Sequence, residues 1–296
     1  MCPGQAPGEC VVNISEGRDG RIIDAIAGAG GDLVLDVHSD PEHHRSVLTL
    51  GGRLDAVEAG TRHVVAAAVD RIDLRTHAGV HPRLGAADVV PFVALSRGPG
   101  KPDPATLAAA VGARDRFARW AADELALPCF LYGPERSLPD VRRTAFRTLQ
   151  PDTGPSVPHP TAGATCVGAR PALVAYNVWI LGPAGDGPDP AGRALSVARS
   201  LADQIRGTAV RSLGLAAGQG AQVSLNLIDT TLVSVADVYD TVAAGAEEQG
   251  CSVSRAELVG LCPASVLEAV PRRRWAELDL SEDRTIEARL SRTGTV

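Results

Sequence analysis

Apolar and polar positions along the chain follow two periods, and each change of period marks the border of a strand or a helix. Short apolar runs predict strands, apolar residues spaced three and four apart predict helices, and two runs around a polar turn predict a hairpin. In the first part the order is strand, helix, strand, strand, helix, strand, at residues 9–14, 21–28, 33–38, 46–50, 54–72 and 89–95. A further helix at 105–125 and a strand at 129–132 follow.

The second part of the chain repeats this order of elements without obvious sequence similarity. Its strands and helices are predicted at residues 172–181, 194–206, 210–215, 221–228, 235–250 and 252–261. Each part matches the ferredoxin-like, split-βαβ layout, in which two helices cover one face of a sheet. We therefore predict an α/β (α+β) fold of two such subdomains, residues 1–172 and 173–296, with a cleft between them. The charged residues from Pro271 onward are predicted to form a solvated extension.

Composition excludes several classes of protein. The length of 296 residues suits about two domains, and 45% apolar residues are enough to build their cores. A net charge of -6 argues against a broad nucleic-acid surface. Neither a membrane-spanning run nor an apolar leader is evident. The six cysteines form no C-x-x-C pair, which is typical of reduced thiols. We expect a cytoplasmic protein that binds neither nucleic acid nor a membrane.

Residues 76–88 concentrate titratable groups just before an apolar strand. They include His77, His81 and Arg83, and binding groups are often found on loops held by a rigid element. His81 precedes a proline, which favours an extended backbone, and it could move a proton near neutral pH. His77 is the rival for that role. A polar connection with a proline turn is the alternative interpretation.

Two more polar clusters lie near the predicted hairpin. Residues 36–45 hold His38, His43 and His44 among carboxylates, but no ligand spacing of a known metal motif. Because hairpin neighbours point to opposite faces, a polar tip that reaches into a cleft is favoured over a metal site. Residues 13–18 could bind an anion at a helix N-terminus, although a capping turn is favoured.

A segment rich in proline and glycine lies where the two parts join. Its four prolines and two glycines, between residues 151 and 165, exclude a regular helix or strand. It is either a linker or a ligand loop whose amides and hydroxyls suit a planar heterocycle. The candidate ligand-binding residues are Gly154, Pro155, Ser156, Val157, Pro158, His159, Pro160, Thr161, Ala162 and Gly163.

At these clusters the chain resembles glutamate formiminotransferase (glutamate formimidoyltransferase), which is also the N-terminal part of formiminotransferase-cyclodeaminase. The resemblance covers roughly residues 9–270 in the family's order. Its stretches are residues 9–11 and 13, 15–17, 39–41, 45–47, 81–83, 85–88, 131–133, 154–156, 163–165, 168–170, 221–224, 226–227 and 258–261. Only the transferase part is expected here.

The resemblance implies two α/β subdomains with a folate-lined tunnel between them, and a homodimer. It implies transfer of the formimidoyl group of N-formimidoyl-L-glutamate to N5 of tetrahydrofolate, the co-substrate, with no metal. The family's catalytic histidine falls on His81 and its folate-binding segment on residues 154–163. Arg45 and Arg83 are candidates for holding substrate carboxylates, because a guanidinium matches a carboxylate in two-pronged fashion. Possible supporting residues are His38, His44, Arg45, His77 and Arg83.

The chain also departs from the family pattern, which leaves the donor open. His38 replaces the second aspartate of an Asp-Val-Asp motif, His44 replaces an asparagine, and Thr144-Ala145 replaces a Gly-Glu pair. Another one-carbon donor in the same fold, such as N-formylglutamate, is one alternative. A non-catalytic folate-binding or scaffold protein is a second alternative, and a metal-dependent amidohydrolase is a distant third.

Overall fold

The computed structural model describes residues 6–79, 83–95, 104–184 and 189–293. The strands are β1 (Pro7–Ile14), β2 (Val34–Asp40), β3 (Arg45–Arg53), β4 (Ala87–Ala94), β5 (Cys129–Tyr132), β6 (Thr165–Pro171), β7 (Val174–Leu181), β8 (Val210–Ala217), β9 (Gly220–Leu227) and β10 (Ser252–Val259). The α-helices are α1 (Gly20–Gly28), α2 (Leu54–Arg71), α3 (Pro104–Leu125), α4 (Leu138–Thr144), α5 (Pro190–Ile205), α6 (Val235–Glu248), α7 (Ala264–Glu268) and α8 (Ile286–Thr293). The chain divides into two compact units, one containing β1 to β6 and the other β7 to β10.

The first unit contains a six-stranded sheet in the order β2-β3-β1-β4-β6-β5. Its first four strands are antiparallel and have the ferredoxin-like order, which confirms the predicted fold class. β6 then pairs with β4 and β5, and both of these pairings are parallel. A parallel connection requires a long crossover, which α3 provides between β4 and β5. The sequence did not reveal that β6 enters the sheet between two strands that precede it in the chain.

The second unit contains a four-stranded antiparallel sheet in the order β10-β7-β9-β8. This is the same ferredoxin-like order, since β7 and β9 are the central pair. Apolar side chains of α5 and α6 pack with those of β7 and β9 into one buried core, in which Tyr176 is fully buried. The predicted repeat of elements is therefore also a repeat of topology.

Helices α1, α2 and α3 pack on one face of the first sheet. Their apolar residues and the inward residues of β1, β3 and β4 form one core, which includes Phe92 and Phe117. On the other face, α4 packs over a smaller cluster that contains Phe130 and Tyr132. The Tyr132 ring lies across Gly168 on β6, where any Cβ would overlap the ring. An aromatic ring laid over a strand glycine covers backbone that the glycine leaves bare.

The C-terminal residues correct one prediction. The segment from Pro271 was expected to be a solvated extension, but Leu278 and Leu280 are buried in the core of the second unit. The Tyr176 hydroxyl donates to the Leu278 carbonyl oxygen at 2.9 Å, and the Leu258 amide donates to the Asp279 carboxylate at 2.8 Å. The sequence interpretation weighed the charges of this segment and overlooked the apolar residues spaced between them.

No helix in the part of the chain that the structure describes is both long enough and apolar enough to span a membrane.

We expect Leu278→Ala to lower the free energy of unfolding by about 2–5 kcal/mol, because it leaves a cavity in a packed core. Leu232→Ala is the matched control, since that side chain is 68% exposed and its loss should cost less than about 0.5 kcal/mol. Urea unfolding of both variants measures the difference. Equal stabilities would show that the segment does not contribute to the core.

Candidate active site

The four polar clusters of the sequence meet at one edge of the first sheet. β1 ends at Ile14, which pairs with Ala87 at the start of β4 and with Ser46 near the start of β3. β4 and β6 run parallel, with Val89 opposite Cys166, so the segments that lead into these two strands arrive at the same edge. The order of strands in the sheet therefore assembles the clusters.

Leu74 and residues 84–86 are joined by their backbones to the end of the proline-rich segment. Gly85 and Gly163 form an isolated antiparallel bridge. Three hydrogen bonds flank it, from the Leu74 amide to the Thr161 carbonyl at 2.8 Å, from Ala86 to Ala162 at 2.9 Å, and from Ala164 to Leu84 at 2.9 Å. The two loops thus form a single structural unit, which we call the loop joint.

Gly163 is required by the geometry of the loop joint. Its φ of 70° lies in the left-handed region, and a Cβ there would overlap the Leu84 carbonyl oxygen. Gly85 is enclosed in the same way by the Ala164 carbonyl group. Only glycine lets the two backbones approach this closely.

The first half of the proline-rich segment faces solvent. Residues 154–158 are exposed, and Val157 presents an apolar side chain that is 64% exposed. The segment is anchored just before them by Asp152, which accepts hydrogen bonds from the Leu131 amide at 2.8 Å and from Arg136 at 2.7 Å. The segment is therefore an exposed stretch between two anchored ends, and loops held by a rigid scaffold often carry binding residues.

Val80, His81 and Pro82 lie outside the described residues, so the predicted catalytic histidine has no described position. The residues on either side are described. The Arg83 guanidinium donates to the Gly79 carbonyl oxygen at 2.8 Å and contacts the His77 ring. Some of the N–H donors of the Arg83 guanidinium are therefore engaged by neighbouring residues of the same loop.

His44, at the tip of the β2–β3 hairpin, stacks on His77 with ring centroids 4.0 Å apart. Its Nδ1 accepts a hydrogen bond from the Gly17 amide at 3.1 Å, which leaves the proton of the neutral ring on Nε2. Burial lowers the pKa of His44, and although Glu16 opposes this effect, Arg18 and Arg83 reinforce it. The Gly17 contact and the direction of the pKa shift both favour the neutral imidazole over the ion pair that a protonated ring would form with Glu16, whose Oε1 lies 3.3 Å from Nδ1.

The carboxylates beside this hairpin have partners in the protein. Glu16 accepts from the amides of Arg18 and Asp19 at 2.8 and 3.0 Å, which closes a turn just before α1, and Asp19 is the N-cap of that helix. Asp40 accepts from the His43 ring at 2.7 Å. Burial raises the pKa of Asp40, but hydrogen bonds from His43 and Glu42 and the electrostatic effect of His43 together outweigh burial and lower the pKa to about 2. Among the described residues no group of His, Cys, Asp and Glu is arranged to hold a metal ion.

Asp88 connects three parts of this edge. It is 2% exposed, and it accepts from the Leu84 amide at 2.6 Å and from the Arg142 guanidinium at 2.5 Å. Burial lowers the pKa of Arg45 to about 10, and the nearby charge of Asp88 opposes that shift. Two guanidinium groups therefore lie near one buried carboxylate, and anionic substrates favour such positive surroundings.

The structure thus brings together most of the described candidate residues. His44, Arg45, His77, Arg83 and the end of the proline-rich segment lie at one edge, whereas His38 lies along β2, opposite Val47. The sequence interpretation did not include Arg142 or Asp88 among the candidates. The only signal for them was their presence in or beside stretches that match the family pattern.

Comparison with known proteins identifies relatives along almost the whole chain. The family model described as "Formiminotransferase domain, N-terminal subdomain" matches residues 8–170, and the model described as "Formiminotransferase domain" matches residues 175–295. The formimidoyltransferase-cyclodeaminase of Sus scrofa is 34% identical over 287 residues, which cover 88% of this chain and 50% of that protein. The chain spans about half the length of the formimidoyltransferase-cyclodeaminases that it matches in pig, rat and mouse.

Two shorter relatives match along most of their length. The glutamate formimidoyltransferase of Streptococcus pyogenes serotype M1 is 33% identical over 285 residues, which cover 88% of this chain and 90% of that protein. The glutamate formimidoyltransferase of Thermoplasma acidophilum is 35% identical over 291 residues, with 88% and 89% covered.

We expect Gly163→Ala to lower the free energy of unfolding by about 2 kcal/mol or more, because it adds left-handed strain and an overlap with the Leu84 carbonyl. Gly28→Ala in α1 is the control, since a Cβ there meets no atom within 4 Å. Urea unfolding compares the two variants. A Gly163→Ala variant as stable as the control would contradict the close approach at the loop joint.

The depressed pKa of His44 predicts how stability depends on pH. The unfolded chain takes up this proton near its ordinary pKa of about 6.5, before the folded protein does. The contribution of His44 to stability is therefore complete above about pH 6.5 and declines as the pH falls below that value. As the pH is lowered from 7.5 to 5, we expect the free energy of unfolding to fall less steeply in His44→Asn than in the wild-type protein. Parallel curves would show that His44 titrates alike in both states.

Proposed function

Because the chain belongs to the formiminotransferase family, we propose that it transfers the formimidoyl group of N-formimidoyl-L-glutamate to N5 of tetrahydrofolate. The products are 5-formimidoyltetrahydrofolate and L-glutamate. The observation that carries this proposal is the match to two glutamate formimidoyltransferases along about nine-tenths of their length. We further propose, as the resemblance implies, a cytoplasmic homodimer in which residues 1–172 bear the catalytic histidine and the folate segment, and residues 173–296 form the second subdomain.

The reaction needs a group that moves protons. N5 of tetrahydrofolate must lose a proton as it attacks, and the departing glutamate nitrogen must gain one. We assign both transfers to His81, and a well-placed general acid–base contributes roughly 10²–10⁴-fold to such a rate. Gly79 and Arg83, which flank residues 80–82 in the chain, are hydrogen-bonded to each other. His44 and His77, stacked beside Gly79, are proposed to support the segment that contains His81.

The charges of the site suit the charges of the substrates. The donor has two carboxylates on its glutamate part, and folate has a glutamate tail. Arg45 is proposed to hold a substrate carboxylate, and Arg83 is the second candidate from the sequence. The arrangement of Arg45 and Arg142 around buried Asp88 supports a positive site at this edge.

The exposed half of the proline-rich segment is proposed to contact folate. Residues 154–158 offer amides and the apolar Val157 side chain to a planar ring system. A planar heterocycle with hydrogen-bonding edges requires this combination of an apolar surface and a few placed polar groups.

A formyl donor, N-formyl-L-glutamate, is the second candidate. A formimidoyl group on nitrogen is an amidine that carries a positive charge at neutral pH, whereas a formyl group is neutral. Glu16, Asp40 and Asp88 already accept hydrogen bonds from the protein, and His38 replaces a family aspartate. A neutral group would not need a further carboxylate here.

We expect purified protein to release glutamate when tetrahydrofolate is present with N-formimidoyl-L-glutamate, and EDTA should not change the rate. Parallel reactions with N-formyl-L-glutamate decide between the two donors. Glutamate release is followed in a coupled dehydrogenase assay. Folate binding without turnover of either donor would favour a binding protein, and EDTA-sensitive hydrolysis without folate would favour a metal enzyme.

His81→Ala should lower kcat by roughly 10²–10⁴-fold, because it removes the proposed general acid–base. Its affinity for tetrahydrofolate should stay close to that of the wild type. His63→Ala is the control, because His63 is exposed on α2 and outside the site. Full activity of His81→Ala would refute the assignment of the proton-transfer group.

A further inference from the structure

We infer that His159 is a positioning residue, which fixes the shape of the proposed folate segment through the backbone amides of Thr161 and Ala162. The inference rests on the proposed function for its kinetic consequence, but its geometry stands independently. The sequence suggested His159 as one of ten residues that contact the ligand. The described contacts assign its ring a different task.

The His159 ring accepts hydrogen bonds from the chain that follows it. Its Nδ1 lies 3.0 Å from the Ala162 amide nitrogen and 3.3 Å from the Thr161 amide nitrogen. Asparagine and aspartate side chains often accept from amides two and three residues further on, and they thereby close a turn. The imidazole nitrogen of His159 takes the place of that side-chain oxygen.

The turn that His159 closes is compact. The His159 amide donates to the Gly163 carbonyl oxygen at 2.7 Å, and the Gly163 amide donates back to the His159 carbonyl oxygen at 3.0 Å. Pro160 has no amide hydrogen to satisfy and limits the backbone at the second position. Together with the two bonds to the ring, these contacts give each amide of residues 159 and 161–163 an acceptor inside the turn.

The same turn forms one side of the loop joint. The carbonyl groups of Thr161 and Ala162 accept from the amides of Leu74 and Ala86, so each of these peptide units is bonded on both sides. Residues 83–86, which follow the proposed catalytic segment in the chain, are on the other side of the joint. Loss of the ring nitrogen would therefore loosen the folate segment and the support of residues 83–86 together.

These contacts separate the role of His159 from that of a proton shuttle. A proton on Nδ1 would turn the acceptor into a donor and break both amide bonds. The ring serves the turn only while Nδ1 is unprotonated. A side chain of the same reach with a permanent acceptor at this atom should therefore replace it.

The experiment compares three substitutions in the full chain. His159→Asn places its amide oxygen where Nδ1 lies, His159→Leu removes the acceptor, and His159→Gln moves the oxygen one bond too far. His63→Leu on α2 is the control for replacing a histidine by leucine at an exposed position. Hydrogen exchange of the Thr161 and Ala162 amides, and the KM for tetrahydrofolate, are measured for each variant.

We expect His159→Leu and His159→Gln to speed exchange of the two amides and to raise the KM for tetrahydrofolate by roughly tenfold or more, as the loss of two hydrogen bonds implies. His159→Asn should match the wild type within about twofold in both measurements, because its amide oxygen can accept the same two hydrogen bonds. His63→Leu should change neither.

Two results would overturn the inference. Unchanged amide exchange in His159→Leu and His159→Gln would show that the ring does not hold the turn. A raised KM in His159→Asn, with its amides still protected, would show that His159 contacts the substrate directly. If the wild-type protein turned over neither donor, the proposed function would be contradicted but the inference about His159 would not. The exchange rates of the Thr161 and Ala162 amides would still decide the role of His159.

Discussion

The candidate site depends on one structural constraint, the parallel pairing of β4 with β6. These strands are neighbours and run in the same direction. The two irregular loops that lead into them must therefore reach the sheet at the same edge. Loops have few regular partners for their amides and carbonyl groups, and an unpaired buried group is costly. Here the two loops satisfy each other through the three hydrogen bonds and the glycine bridge of the loop joint. The proposed folate segment and residues 84–86 therefore share one backbone joint.

The antiparallel strands bring the remaining groups to the same edge. Ser15, directly after β1, donates its hydroxyl to the Gly85 carbonyl oxygen at 2.8 Å, and its amide donates to Ala86. Gly17 lies so close to the hairpin that a Cβ would overlap backbone atoms of Asp40 and Arg45. The stacked rings of His44 and His77 complete the contact from hairpin to loop. Each cluster is thus held by another cluster as well as by its own strand, so a local change in one is transmitted to the next.

The electrostatics of this edge follow from the same crowding. The carboxylates of Glu16, Asp40 and Asp88 accept hydrogen bonds within the protein, from backbone amides, from His43 and from Arg142 respectively. The guanidinium groups nearby are partly removed from water, which is why burial lowers the pKa of Arg45. We propose that this arrangement favours anionic ligands over free cations. This preference connects the fold to the question of the donor, because the two candidate donors differ in the charge of the transferred group.

The sequence by itself determined the local elements, the repeat of two ferredoxin-like units and the residue types at the site, because periodicity and turn chemistry are properties of short stretches. The predicted helices and strands of both units are present, with ends that shift by a few residues. The pattern failed for Leu278 and Leu280, because alternating charges concealed apolar residues whose partners lie far away in the chain. Only the tertiary structure decided that β6 enters between β4 and β5, that Arg142 reaches Asp88, and that the His159 ring points into its own turn. These features depend on which strands pair and on how closely backbones approach, and no local pattern of polar and apolar residues encodes either.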